Sequence, residues 1–85
     1  MRVDRFLFFI RLAKSRTLAQ AIVDQGHVRI DGKRIDKSSE EVRAGSVIAL
    51  PLHDRVRVIR VVSLPSRRGP PAEARQYYQE IAPAD

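Results

Sequence analysis

Between Val3 and Val23 apolar residues return at three- and four-residue intervals, the spacing of one helix face; from Val28 to Val62 they come in short alternating runs broken by Gly, Pro and Asp. Phe6, Phe9, Ile10 and Ala13 share one stripe, and Asp4 stands where an N-cap opens a first helix of about two turns. Phe8 falls off that stripe and is expected as a lid over the core. Ser15 is the next cap, opening a second helix in which Leu18, Ala19, Ile22 and Val23 face inward and Gly26 supplies the left-handed stop. The pattern predicts two helices joined by a short connection.

Val28 and Ile30 then alternate with His27 and Arg29, and Asp31-Gly32 is a two-residue hairpin signal before Lys33-Arg34-Ile35. Residues 36–41 are polar and read as a loop. Ala44-Gly45-Ser46 turns into a strand over Val47 to Leu50, and Pro51 to Asp54 makes another turn before a strand from about Arg55 to Val62. In that last strand Val56 and Val58 take one parity and Ile59 and Val61 the other, so a bulge or burial on both faces is expected. Ser66 to Pro71 reads as a basic linker and Ala72 to Ile81 as a short helix docked by Tyr77, Tyr78 and Ile81. The expected class is α+β: a helix-turn-helix-like pair, a small and mainly antiparallel sheet, and a short C-terminal helix. Residues 1–64 form the body of this reading, and 65–85 the Pro/Gly linker and terminal helix.

Charge sharpens the picture. Residues 1–35 hold eight basic and three acidic side chains, so +5 of the chain's formal +6 lies there. Segregated charge suits a surface that meets a polyanion, and above this fold nucleic acid is a better partner than an anionic membrane. With 85 residues and no cysteine the chain builds one small domain without disulfides or thiolate metal sites, which fits a reducing, cytoplasmic setting. The apolar run Phe6 to Ile10 is too short for a signal core or a membrane span, so no targeting segment is expected.

Catalytic chemistry finds little footing. His27 and His53 stand in separate strand and turn contexts, and no Ser, Cys or carboxylate pair has a spacing suited to nucleophilic or acid/base work. Neither a Gly-rich phosphate loop nor a cluster of metal ligands is present in the sequence, so no cofactor is expected.

The segment Arg2-x-Asp4-Arg5-x-Leu7, followed by Lys14-Ser15-Arg16-x-x-Ala19-x-x-Ile22-Val23-x-x-Gly26-x-Val28-x-Ile30-Asp31-Gly32, resembles the S4-type RNA-binding domain. Within that family Asp4-Arg5-Phe6-Leu7-Phe8 and Arg67-Arg68-Gly69-Pro70-Pro71-Ala72-Glu73-Ala74, with Tyr77 and Tyr78, resemble the ribosome-associated heat-shock class of bacteria. Relatives of that class usually carry tryptophans where Phe6 and Phe8 stand, and a long basic C-terminal extension.

The resemblance implies one basic face that grips the phosphates of structured RNA, whose A-form base edges lie in a deep groove that side chains do not read. Arg16 would act from the first turn of the second helix, Arg2 and Arg5 from the first helix, Lys14 and Ser15 from the connection, Gln20 one turn beyond Arg16, and Arg29, Lys33 and Arg34 from the hairpin. Ser15 reads first as a cap, Asp4 as a structural carboxylate that caps a helix or pairs with arginine, and His27 as a strand-edge residue. Arg67 and Arg68 either extend the footprint or belong to a solvated linker.

By the same resemblance the partners are ribosomal RNA on large subunits blocked by an unreleased nascent chain, with tRNA as a further partner, and no membrane. The alternatives are the RNA-docking module of an RNA-modifying enzyme of pseudouridine synthase or tRNA synthetase type, which needs a catalytic domain attached, and a DNA-binding module with weak duplex affinity. A monomer is expected, because no long apolar stripe is left over once the core is filled.

Overall fold

The structure, a computed structural model, describes residues 1–52 and 54–81. Two helices, α1 (Val3–Phe9) and α2 (Arg16–Asp24), precede the strands β1 (Val28–Ile30), β2 (Lys33–Ile35), β3 (Val47–Leu52) and β4 (Arg55–Val61). A single turn α3 (Pro71–Ala74) and a 3-10 turn, Arg75–Tyr77, lead into β5 (Tyr78–Ile81). The five strands form one antiparallel sheet in the order β2-β1-β3-β4-β5. The class is α+β, as the sequence pattern predicts.

Two caps differ in kind. Ser15 accepts the Leu18 N–H at 3.1 Å and opens α2 as expected. Asp4 is not the N-cap of α1: Arg2 holds that position, and the free N–H groups of Val3 and Asp4 donate to the carbonyls of Glu40 and Ser38 instead. With the 38–40 loop supplying acceptors, the Asp4 carboxylate is released for other work.

The end of α1 is a Schellman arrangement, with Arg11 N–H donating to Phe8 O and Leu12 N–H to Leu7 O. Arg11 holds the left-handed position at φ 65°, where glycine is usual, at a cost of roughly 1–2 kcal/mol for a residue with a Cβ. Gly26 ends α2 at φ +80°, and Asp31 and Gly32 close the β1–β2 hairpin at φ 53° and 81°. Asp31 also accepts the Val47 N–H at 2.9 Å, tying the hairpin tip to β3.

The core packs both helices onto one face of the sheet. Val3, Phe6 and Leu7 of α1 and Ile10 at its C-cap meet Ala19 and Val23 of α2 over Val28, Ile48, Leu50, Ile59 and Val61. Leu7 is fully buried although it lies outside the expected stripe, and Phe9 is only half-buried. Leu18 is 49% exposed rather than inward: α2 approaches along Ala19 and Val23, and the small Ala19 side chain sets the contact line one residue away. Phe8 is half-buried beneath the Arg68 guanidinium, whose Cζ lies 4.6 Å from the ring centroid.

The β3–β4 register runs unbroken from Val47↔Arg60 to Leu52↔Arg55, so the shifted parity in β4 marks two faces and not a bulge. Ile59 and Val61 enter the core, while Val58 is half-buried on the other face and Val56 is 65% exposed. Pro51 belongs to β3 and not to the turn; it pairs with Val56 beyond the last β1 partner, where its missing N–H breaks no ladder bond. His53 lies outside the described residues.

The C-terminal segment departs most from expectation. The helix expected over Ala72 to Ile81 ends at Ala74, and Tyr78–Ile81 is a strand paired with Val58–Val61. The open edge of β4 supplies ladder partners that outweigh the weak propensity of a short isolated helix. Nor is Ser66 to Pro71 a solvated linker: Arg68 Nε donates to Phe8 O at 3.1 Å and Arg11 Nε to Gly69 O at 2.6 Å, which stitches the segment to the end of α1. Val56, Val62 and Leu64 remain exposed, so some apolar surface is left over after the core is filled. No helix among the described residues is long and apolar enough to cross a membrane.

Candidate nucleic-acid interface

At the centre of the helix pair lies one buried carboxylate. Arg2 donates to Asp4 in bidentate fashion, Nε to Oδ1 at 3.1 Å and Nη2 to Oδ2 at 3.0 Å. Gln20 Nε2 donates to Oδ2 at 3.1 Å, the Arg5 N–H donates to Oδ1 at 2.8 Å, and Arg16 Nη2 stands 3.6 Å from Oδ2. Asp4 itself is 0% exposed, whereas the Arg2 and Arg16 side chains are 42% and 45% exposed. Burial pushes the Asp4 carboxyl up, but the hydrogen bonds from Gln20, Arg2 and the Arg5 N–H outweigh it and hold the group below its ordinary value.

Asp4 thus fixes two guanidinium groups and an amide from two helices at one point on the surface. Each guanidinium carries five N–H donors, so pairing with Asp4 leaves most of them unused on side chains that are partly exposed. Arg5 extends the patch from the exposed side of α1, its Cζ 5.5 Å from the Phe9 ring centroid. The Ser15 hydroxyl is engaged as the α2 cap, which leaves its own O–H as a donor.

The hairpin residues form a second group. Arg29 and Arg34 are directly paired across β1 and β2, both exposed, with Arg29 Nη1 donating to Gly32 O at 3.3 Å. Arg34 folds back on the end of α2, where a Cβ on Gly26 would stand 2.9 Å from its Nη2. Arg16 and Arg34 therefore mark opposite ends of α2, roughly 15 Å apart at 1.5 Å per residue. Lys33 is exposed at the start of β2. Lys14 joins neither group; it lines a cavity with Arg11, Arg68 and Arg75. His27 is exposed immediately before β1.

This geometry coincides with a family relationship. The S4 domain family matches residues 1–48, more than half of the chain and the span that carries both basic groups. The chain belongs to the S4 domain family. Over 49 residues this S4 chain is 49% identical to small ribosomal subunit protein uS4 of Lacticaseibacillus casei and 43% identical to that of Limosilactobacillus fermentum, an alignment covering 58% of the chain. It spans about a quarter (24%) of the length of those curated relatives. Among solved structures, Heat Shock Protein 15 of Vibrio cholerae, described as trimeric, superposes with a TM-score of 0.89 at 33% identity, over 96% of this chain and 82% of that one. The likeness to that structure runs beyond the S4 match into the C-terminal segment.

Arg11, Arg57 and Arg75 were not among the residues that the sequence pointed to as site residues, and Arg68 was read as either extending the footprint or lying in a solvated linker. Arg11 and Arg68 stand 57 positions apart, and only the docking of the C-terminal segment brings them to one place.

Proposed function

We propose that this S4 chain binds structured RNA through the face built on Asp4, with Arg2, Arg5, Arg16 and Gln20 contacting phosphates at the helix pair and Arg29, Lys33 and Arg34 contacting them at the hairpin. The observation that carries this reading is the convergence of Arg2, Arg16 and Gln20 on a single buried carboxylate. Long cationic side chains lose much rotamer freedom when they bind, and holding them in place beforehand reduces that cost. A face of this kind reads the shape and phosphate spacing of a stem or junction, not base identity. Ser15 completes it from the connection between the helices, while Lys14, expected there from the sequence, faces the neighbouring cavity instead.

The likeness to Heat Shock Protein 15 over nearly the whole chain favours a ribosomal target. We assign that target to ribosomal RNA of large subunits carrying an unreleased nascent chain, with tRNA adjacent, in a cytoplasmic, non-enzymatic role. Co-sedimentation with separated small subunits, large subunits and whole ribosomes at physiological salt tests it, run beside an Arg5→Ala/Arg16→Ala variant. The expected result is binding to large subunits that the variant loses. Binding to no particle, or a preference for duplex DNA over stem-loop RNA in competition, overturns the reading.

A further inference from the structure

Away from the Asp4 face, a cavity of about 470 Å³ opens where the C-terminal segment docks against the end of α1. Arg11, Lys14, Arg57, Arg68 and Arg75 line it, together with Tyr78. Glu80 engages Arg57, its Oε2 accepting from Nε at 3.4 Å. Among the described residues the other four cations form no ion pair. Arg11 and Arg68 are fixed through their Nε atoms, which donate to Gly69 O and Phe8 O, so their terminal nitrogens remain available.

Four unneutralised cations gathered in one concavity repel one another, and apolar walls from Ile10, Leu12 and Pro71 limit how well water screens them. A dense anion relieves that repulsion, and guanidinium groups suit phosphate oxygens by their planar fork of donors. Arg11 reaches this place from a left-handed backbone that glycine would adopt without strain.

We propose that this cavity is a second phosphate site, distinct from the Asp4 face, that takes closely spaced phosphates. Their source is either successive backbone phosphates of an RNA strand or a free oligophosphate. The RNA source rests on the function proposed above; the oligophosphate source does not. Lys14 directly precedes Ser15 and Arg16, so the cavity adjoins the first face through the connection between α1 and α2.

Amide shifts of the full chain, followed during titration with sodium tripolyphosphate and separately with a stem-loop RNA bearing a 5′-hydroxyl, test the site. Saturable tripolyphosphate shifts are expected at Arg11, Leu12, Arg68, Gly69 and Arg75. They weaken about fivefold in Arg75→Gln, the effect of losing one cation near 4 Å in water. Arg11→Gly keeps the left-handed helix end and weakens binding similarly, while the Arg5→Ala/Arg16→Ala variant, impaired at the first face, retains it. If RNA affinity also falls in Arg75→Gln, the phosphates are those of the RNA strand; if only tripolyphosphate affinity falls, a free oligophosphate is the ligand. The proposal is overturned if the shifts are linear and spread over all basic residues, or if both single variants bind tripolyphosphate as the wild type does.

Discussion

Gln20, one turn into α2, donates to the carboxylate of Asp4 on α1 at 3.1 Å, and the same oxygen atom faces Arg16 at 3.6 Å. The helix pair is therefore joined by a polar contact that also sets the position of the basic side chains around it. Asp4→Asn removes the charge with little change of shape. Since four hydrogen bonds from three residues lose a charged acceptor but both arginines are half-exposed, it should cost about 2 kcal/mol in chemical denaturation.

The same variant separates positioning from net charge. Asp4→Asn makes the chain more positive, so attraction alone would strengthen binding to RNA. If Asp4 holds Arg2 and Arg16 in place, affinity instead falls about threefold to fivefold, the range expected when preorganisation is lost. Fluorescence anisotropy with a stem-loop RNA reads the sign directly.

Stability should also depend on acid in a defined direction. The folded-state pKa of Asp4 lies below the ordinary 3.8, so its contribution is fully present above the unfolded value and is lost as pH falls through the folded one. The Glu41 carboxyl is also held below its ordinary value, by its hydrogen bond with the N-terminal ammonium, and its contribution has the same sign. Comparing wild type with Asp4→Asn isolates the Asp4 part: the gap between the two stability curves should be constant above about pH 4 and narrow progressively as pH falls below it.

Gly26→Ala places a side chain at φ +80° and within 2.9 Å of the Arg34 guanidinium. The tip of Arg34 can move aside, whereas the backbone cannot, so the left-handed penalty of about 1–2 kcal/mol governs the loss in thermal stability. Displacing Arg34 should also weaken RNA binding modestly, and Arg34→Ala measured alone gives the size of that share.

Arg68→Ala removes a donor to the Phe8 carbonyl and the cation over the Phe8 ring. A loss of about 1–2 kcal/mol follows, equivalent to a fall in Tm of several degrees for a domain of this size. Unchanged melting would mean that the Arg11–Gly69 bond and β5 pairing hold the C-terminal segment without Arg68.

Both helices, the Asp31-Gly32 hairpin and the Ser15 cap were legible because each depends on neighbours within a turn or two of the chain. The basic surplus of residues 1–35 was legible for the same reason. Asp4 was half legible: pairing with arginine was one of its two readings, whereas its role as a cap was ruled out by the backbone carbonyls of Ser38 and Glu40, which sequence spacing does not bring near. Leu18 was misplaced because the small Ala19 shifts the line along which the helices meet. Tyr78–Ile81 was read as a helix because its strand partner, β4, is distant in sequence, although adjacent tyrosines ending in Ile81 carried a β signal. The Arg11–Arg68 cavity depends on that same docking and had no local signature at all.

The salt dependence of stem-loop RNA binding, measured for the wild type and Arg16→Ala, tests the Asp4 face most directly. Each phosphate contact contributes about one unit to the slope of log affinity against log salt. The account predicts a steep wild-type slope that drops by about one unit in Arg16→Ala, with affinity lower at every salt concentration. A slope that stays the same in the variant would contradict the placement of Arg16 at the RNA, and a wild-type affinity indifferent to salt would contradict the phosphate-binding face as a whole.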